Sequence, residues 1–217
     1  MLVIFDWDGT LIDSADKIVA AMQAAMSDAD LVVRGSADIR QIIGLGMHEA
    51  TAELYPDASN EQKSLLQQHY ARHFVQRDAV PCEFFPGSME FVSELRRLGH
   101  QTAVATGKSR RGLDRVFAAT GRGKLFDTSR CADETRSKPH PQMLFELLDE
   151  TGTSAADAIM IGDTEYDLAM AVSAGVAAVG VSFGVHSVMR LQAAGAQFIA
   201  NSYTELAQWF TDHTAAR

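Results

Sequence analysis

The chain has 217 residues, of which 47% are hydrophobic and 22% charged, the make-up of a globular protein long enough to bury a core without staples. Nineteen basic against 28 acidic residues leave a net charge of −9, which disfavours nucleic acid and anionic membrane surfaces as partners. The two cysteines, Cys82 and Cys131, form no CxxC pair, so neither a disulfide framework nor a zinc cluster is implied.

The chain begins with a buried-strand signal, Leu2 to Phe5, interrupted at once by Asp6 and without a basic leader, so no secretory signal is read and the cytoplasm is the expected compartment. From about Ser14 to Glu83 the pattern is helical throughout. One helix follows Ser14, a second covers Ile39 to Leu54 and stops before Pro56, and a third opens on Ser59 and Gln62, the spacing of a capping box. Beyond it, short apolar runs alternate with helical faces. Strands are expected at 102–105, 158–161, 176–181 and 198–200, and helices around Phe91, Leu95 and Leu98, around Leu144, Leu147 and Leu148, and around Leu206, Trp209 and Phe210. Leu168 to Met189 carries no charged residue and is long enough to span a bilayer. Its glycines and serines parse it instead as helix end, buried strand and loop. The alternation predicts an α/β fold, a Rossmann-like doubly wound parallel sheet formed by 1–13 and 84–217, with an inserted all-helical cap over 14–83.

The polar residues that carry chemistry fall where apolar runs end, the place where such sheets bind ligands. Asp6-Trp7-Asp8-Gly9-Thr10-Leu11 sets two carboxylates at i and i+2, projecting from one side of an extended segment, and close carboxylates call for a cation or proton between them. Mg²⁺ suits all-oxygen ligation of this kind. Gly162-Asp163-Thr164-Glu165-Tyr166-Asp167 supplies Asp163 to complete the metal site, with Asp167 one helical turn on, where it would hold a metal-bound water or a lysine. Thr106-Gly107-Lys108 and Lys138 in Ser137-Lys138-Pro139 bring a hydroxyl, backbone amides and an ammonium suited to phosphoryl oxygens. Each motif alone also reads as ordinary structure, the first as a strand end with a turn glycine, the Asp163–Asp167 run, for which this is the better reading, as a helix cap, and the others as solvated loops; their order along the chain is what distinguishes them.

These motifs, together with Phe85-Pro86-Gly87, resemble the haloacid dehalogenase-like hydrolase superfamily, and within it the phosphoglycolate phosphatase-like group with a helical cap. The resemblance implies an Mg²⁺-dependent phosphatase for a small phosphorylated metabolite. Asp6 would be the nucleophile and Asp8 the acid and base, with its backbone carbonyl on the metal. Thr106, Gly107 and Lys138 would bind phosphate, Asp6, Asp8 and Asp163 would hold the metal, and Asp167 would stand behind them. Similar phosphatases often carry Asn where this chain has Gly107. Specificity is expected in the cap, where Arg34 to Gly46 resembles the segment that faces the site and Arg34 or Arg40 would pair with a substrate carboxylate; Lys63, Arg72 and Arg77 are further cap cations. A sugar phosphomutase and an inorganic pyrophosphatase fit the same scaffold. A receiver domain or a silent binding module is the alternative from another class. The oligomeric state is not readable.

Overall fold

The computed structural model describes residues 1–76 and 82–215, so the cap cation Arg77 lies outside the described residues. Strand β1 (Leu2–Phe5) buries every side chain, and its alternation sends them to two cores. Val3 and Phe5 face one apolar cluster, Leu2 and Ile4 the other. Strands β2 (Gln101–Thr106) and β4 (Ala158–Gly162) divide in the same way: Val104, Ile159 and Ile161 go to the first cluster, and Ala103, Ala105 and Met160 to the second. Near-continuous apolar runs are what a parallel strand covered on both faces requires.

With β3 (Thr128–Cys131), β5 (Ala177–Val181) and β6 (Phe198–Ala200), these strands form one parallel sheet in the order β3-β2-β1-β4-β5-β6. Between them lie α5 (Ser88–Arg97), α6 (Arg110–Thr120), α7 (Gln142–Thr151), α8 (Glu165–Ala174), α9 (Val188–Ala193) and α10 (Tyr203–Ala215). The strand order reverses between β1 and β4, and Phe5 pairs in register with both Val104 and Ile161, so the carboxyl ends of β1, β2 and β4 finish side by side. The uncharged run 168–189 resolves into α8, a left-handed Gly175 and β5, and no helix among the described residues is long and apolar enough to cross a membrane.

Four helices intervene between β1 and α5: α1 (Ala15–Asp28), α2 (Ser36–Gln41), α3 (Met47–Leu54) and α4 (Asn60–Gln76). They share cores of their own, with Met22, Met26, Ile39, Leu54 and Leu66 in one and Ile18, Ile43 and Phe74 in another. The chain enters and leaves this segment through adjacent strands of backbone, where the Asp13 amide donates to the Glu83 carbonyl (2.8 Å) and the Phe85 amide to the Leu11 carbonyl (3.0 Å).

Three expectations are corrected. The single helix over 39–54 is two, α2 and α3, because Gly44 takes φ +102°, which a helix cannot accommodate. Leu98 does not share the buried face of Phe91 and Leu95 but is 54% exposed beyond the end of α5. Strand β3 is not expected from the sequence pattern, because Thr-Ser-Arg-Cys is polar and mostly half-buried at the sheet edge. The Ser59–Gln62 capping box forms as expected, with reciprocal bonds of 3.0 and 3.2 Å.

Candidate active site

The sheet's reversal point gathers the acidic motifs. Asp6 continues β1, its amide donating to the Ile161 carbonyl (2.9 Å). Trp7 turns into the core against Phe117 and Phe126, at ring separations of 5.3 and 5.9 Å, which leaves Asp6 and Asp8 on the cavity side of the chain. Asp163 follows β4 and is fully buried; one of its oxygens accepts from the Thr10 hydroxyl (2.8 Å), the other from the Val185 amide (2.9 Å). Thr164, not Asp163, caps α8, in a capping box with Asp167.

Lys138 ties these groups together. Its Nζ, fully buried, stands 2.6 Å from Asp6 Oδ1 and 2.6 Å from Asp167 Oδ1. Asp167, expected near a lysine or a metal-bound water, thus holds the lysine. Burial opposes the charge on Lys138, but Asp167 and Asp6 outweigh it and hold its pKa above the ordinary range. One cation does not neutralise three carboxylates. Asp6, Asp163 and Asp167 each offer an oxygen within 4.8 Å of the others. Burial raises Asp6 well above its ordinary value, against the pull of Lys138 and with the push of Asp167 and Asp163. Burial and the charge of Asp167 likewise push Asp163 up to about 7. Asp6 Oδ2 is buried and has no partner among the described residues. An unsatisfied buried carboxylate oxygen beside a second carboxylate suits a hard divalent cation, so these residues fit a metal.

Asp8 occupies the other side of the site. Lys108 Nζ stands 2.9 Å from Asp8 Oδ2, and the Ser14 hydroxyl donates to Oδ1 (2.5 Å). Sequence reasoning missed both partners. Ser14 reads as a helix N-cap, yet its side chain makes no cap bond, and Lys108 was noted only as part of its motif. Thr106 is fully buried at the end of β2, its hydroxyl accepting from the Lys108 amide (3.2 Å), while Gly107 and Lys108 border the cavity.

The helical segment reaches this site through the turn between α2 and α3. The Gly46 amide donates to the Ser137 hydroxyl (2.8 Å), next to Lys138. A Cβ on Gly107 would meet the Leu45 carbonyl oxygen at 2.5 Å and that of Gly44 at 2.7 Å, so the side chain expected of similar phosphatases has no room here. Of the segment 34–46, only its end faces the cavity. Arg40 pairs instead with Asp16, and Arg34 lies over the Tyr55 ring at 5.1 Å; neither borders the cavity, because each is held by a neighbour within the helical segment.

A family model described as haloacid dehalogenase-like hydrolase matches residues 3–181. The chain belongs to that family. It is similar to the probable phosphatase IndB of Dickeya dadantii, at 34% identity over 94% of this chain and 91% of the relative. It is also similar to a phosphoglycolate phosphatase of Rhodospirillum rubrum, at 26% identity over 95% and 89%. The crystal structure of a hydrolase from Pseudomonas syringae shares the fold, with a TM-score of 0.90 over 98% of each chain at 21% identity. This hydrolase is therefore an enzyme among phosphatase relatives.

Proposed function

We propose that this phosphatase hydrolyses small phosphate monoesters with Mg²⁺ through an aspartyl phosphate on Asp6. The observation that carries the reading is the position of Asp6: at the reversal of the sheet, bordering the cavity, held by Lys138 at 2.6 Å, with its second oxygen unpartnered. Residues 1–13 and 84–217 serve as the catalytic core, and 14–83 as the cap.

Asp6 and Asp163 would hold the metal, together with the Asp8 backbone carbonyl. When bound, the cation neutralises the carboxylates and the phosphoryl oxygens that must approach them. Asp6 attacks phosphorus as the carboxylate, and a new Asp6–phosphorus bond forms as the bond from phosphorus to the ester oxygen breaks. Asp8 gives its proton to the departing alkoxide, then takes a proton from the water that attacks the aspartyl phosphate and releases inorganic phosphate. Lys138 stays charged between Asp6 and Asp167, orienting the nucleophile and lowering the negative charge around it. Thr106 and the Gly107 amide complete the phosphate site. Lys108 and Ser14, in contact with Asp8, hold its carboxyl group in position.

The test is release of inorganic phosphate from p-nitrophenyl phosphate. Turnover requiring Mg²⁺, lost in Asp6→Asn, with an acid-quenched phosphoryl adduct on Asp6, is expected. Equal turnover in excess chelator counts against the metal, and an unaltered Asp6→Asn rate counts against the nucleophile. A phosphomutase would return the phosphoryl group to a sugar and release no phosphate.

A further inference from the structure

The space above Asp6 and Asp8 is large and apolar for a site whose floor has only to hold a phosphoryl group. It encloses about 600 Å³, within the roughly 300–1,000 Å³ of pockets that bury drug-sized ligands. Its wall is formed by Ile18 and Met22 of α1, Ile42 and Ile43 beyond α2, and Tyr70 and Phe74 of α4. Tyr70 and Phe74 lie with ring centres 5.6 Å apart.

The cations bordering this space do not supply a dedicated carboxylate site. Lys108 is engaged by Asp8 at 2.9 Å and Arg72 by Asp28 at 2.5 Å; Lys17, Lys108 and Arg115 lie 4.6, 4.8 and 5.8 Å over the Phe74 ring, and Arg111 is exposed where it borders the space. The two arginines nearest in sequence to the turn, Arg34 and Arg40, do not border the space at all. A two-carbon hydroxy acid esterified to the phosphate would leave most of the apolar wall unfilled. Against Ile18, Ile43 and Phe74 its carboxylate would leave water for side chains that cannot hydrogen-bond it, which is costly. An alkyl or aryl group would instead replace water against Ile18, Ile43 and Phe74 and gain free energy with each carbon buried.

We infer that the alcohol this enzyme releases has an apolar body, alkyl or aryl, in place of a short hydroxy acid. The inference rests on the phosphatase reading above and deepens it by naming the leaving-group class. The phosphoryl group sits on the floor made by Asp6, Asp8 and Gly107, while the alcohol's carbon skeleton lies between α1 and α4.

The experiment is kcat/KM with Mg²⁺ for ethyl, butyl, hexyl and benzyl phosphate, with phosphoglycolate alongside. The expected series rises about fourfold per methylene, and benzyl phosphate exceeds phosphoglycolate by tenfold or more. In Phe74→Ser, the slope with chain length falls. A flat or descending series with phosphoglycolate ahead, all of it dependent on Mg²⁺ and Asp6, overturns the leaving-group inference and leaves the phosphatase reading intact. If no ester is turned over, the phosphatase reading falls. The leaving-group inference is then decided by calorimetric titration of the same compounds: benzyl phosphate binding no tighter than phosphoglycolate overturns it.

Discussion

A Cβ placed on Gly107 would stand 2.5 Å from the carbonyl oxygen of Leu45, closer than side chains approach backbone. The loop after β2 and the turn between α2 and α3 are therefore packed backbone to backbone, with no side chain interposed. Gly107→Asn must displace the turn, including the Gly46 amide that bonds Ser137 beside Lys138. The expected result is a fold retained in circular dichroism with kcat/KM on p-nitrophenyl phosphate lowered roughly 5- to 150-fold, the range to which an overpacking cost of about 1–3 kcal/mol converts. Wild-type kinetics in Gly107→Asn would show that the turn yields freely.

Lys138 offers the complementary test, since its removal leaves carboxylates behind and not a gap. Its Nζ is the cation shared by Asp6 and Asp167, and all three groups are buried. Lys138→Met should lose activity and also cost about 3–5 kcal/mol of stability, as breaking a buried ion pair from one side does. Denaturant unfolding of the metal-free protein measures this. A loss under 1 kcal/mol would mean that the ion pairs of Lys138 contribute little to the fold.

The parts of this architecture that were legible in the sequence are those where one local rule acts alone. Leu2 to Phe5 is apolar at every position because both faces of β1 are covered, and Asp6 and Asp163 stand where apolar runs stop. The contacts of Asp8 were not legible, because Lys108 and Ser14 meet it only through the folded paths of the segments that follow β1 and β2. Arg34 and Arg40 looked suited to a substrate anion because charge is visible in a sequence. What was not visible is that Tyr55 and Asp16 engage them first. Gly44 was read inside a helix, and only its left-handed backbone separates α2 from α3 and delivers Leu45 to Gly107.

Metal binding should depend on pH with a definite sign. Burial and Asp167 push Asp163 up to about 7, whereas in the unfolded chain it ionises near the ordinary aspartate value of 3.8. The native state of the metal-free protein therefore retains a proton that the unfolded state releases. This contribution to stability is greatest at low pH and is lost as pH rises through the folded value. A divalent cation displaces that proton, so its affinity grows over the same interval. The rise in Tm caused by Mg²⁺ should be small at pH 5.5, larger at pH 8, and abolished in Asp163→Asn. Taking the difference with and without Mg²⁺ at each pH cancels the titrating groups that the metal does not touch. A shift independent of pH between these values would place the metal elsewhere.

His186 connects α8 to the helical segment in a way that only the neutral ring permits. Its Nδ1 accepts from the Glu165 amide (3.1 Å), so the hydrogen belongs on Nε2, which stands 3.3 Å from the Gln41 carbonyl at the end of α2. The same carbonyl accepts from the Tyr166 hydroxyl (2.9 Å), and Arg190 bonds both the Gln41 side chain and Glu165. Protonation would set a hydrogen on Nδ1 against the Glu165 N–H. Burial and the nearby Arg190 lower the His186 pKa, against the pull of Glu165 and Asp167. For a histidine depressed in the folded state, the unfolded chain binds the extra proton, so the stabilisation is present above the ordinary value of 6.5 and is lost on acidification below it. His186→Ala should cost about 1 kcal/mol at pH 7.5 and flatten the decline of Tm between pH 6.5 and 5. It should also raise KM more than it lowers kcat, because the turn at 42–46 is released from α8 while Asp6 and Lys138 are untouched. A variant with the wild-type acid limb would assign that decline to another group.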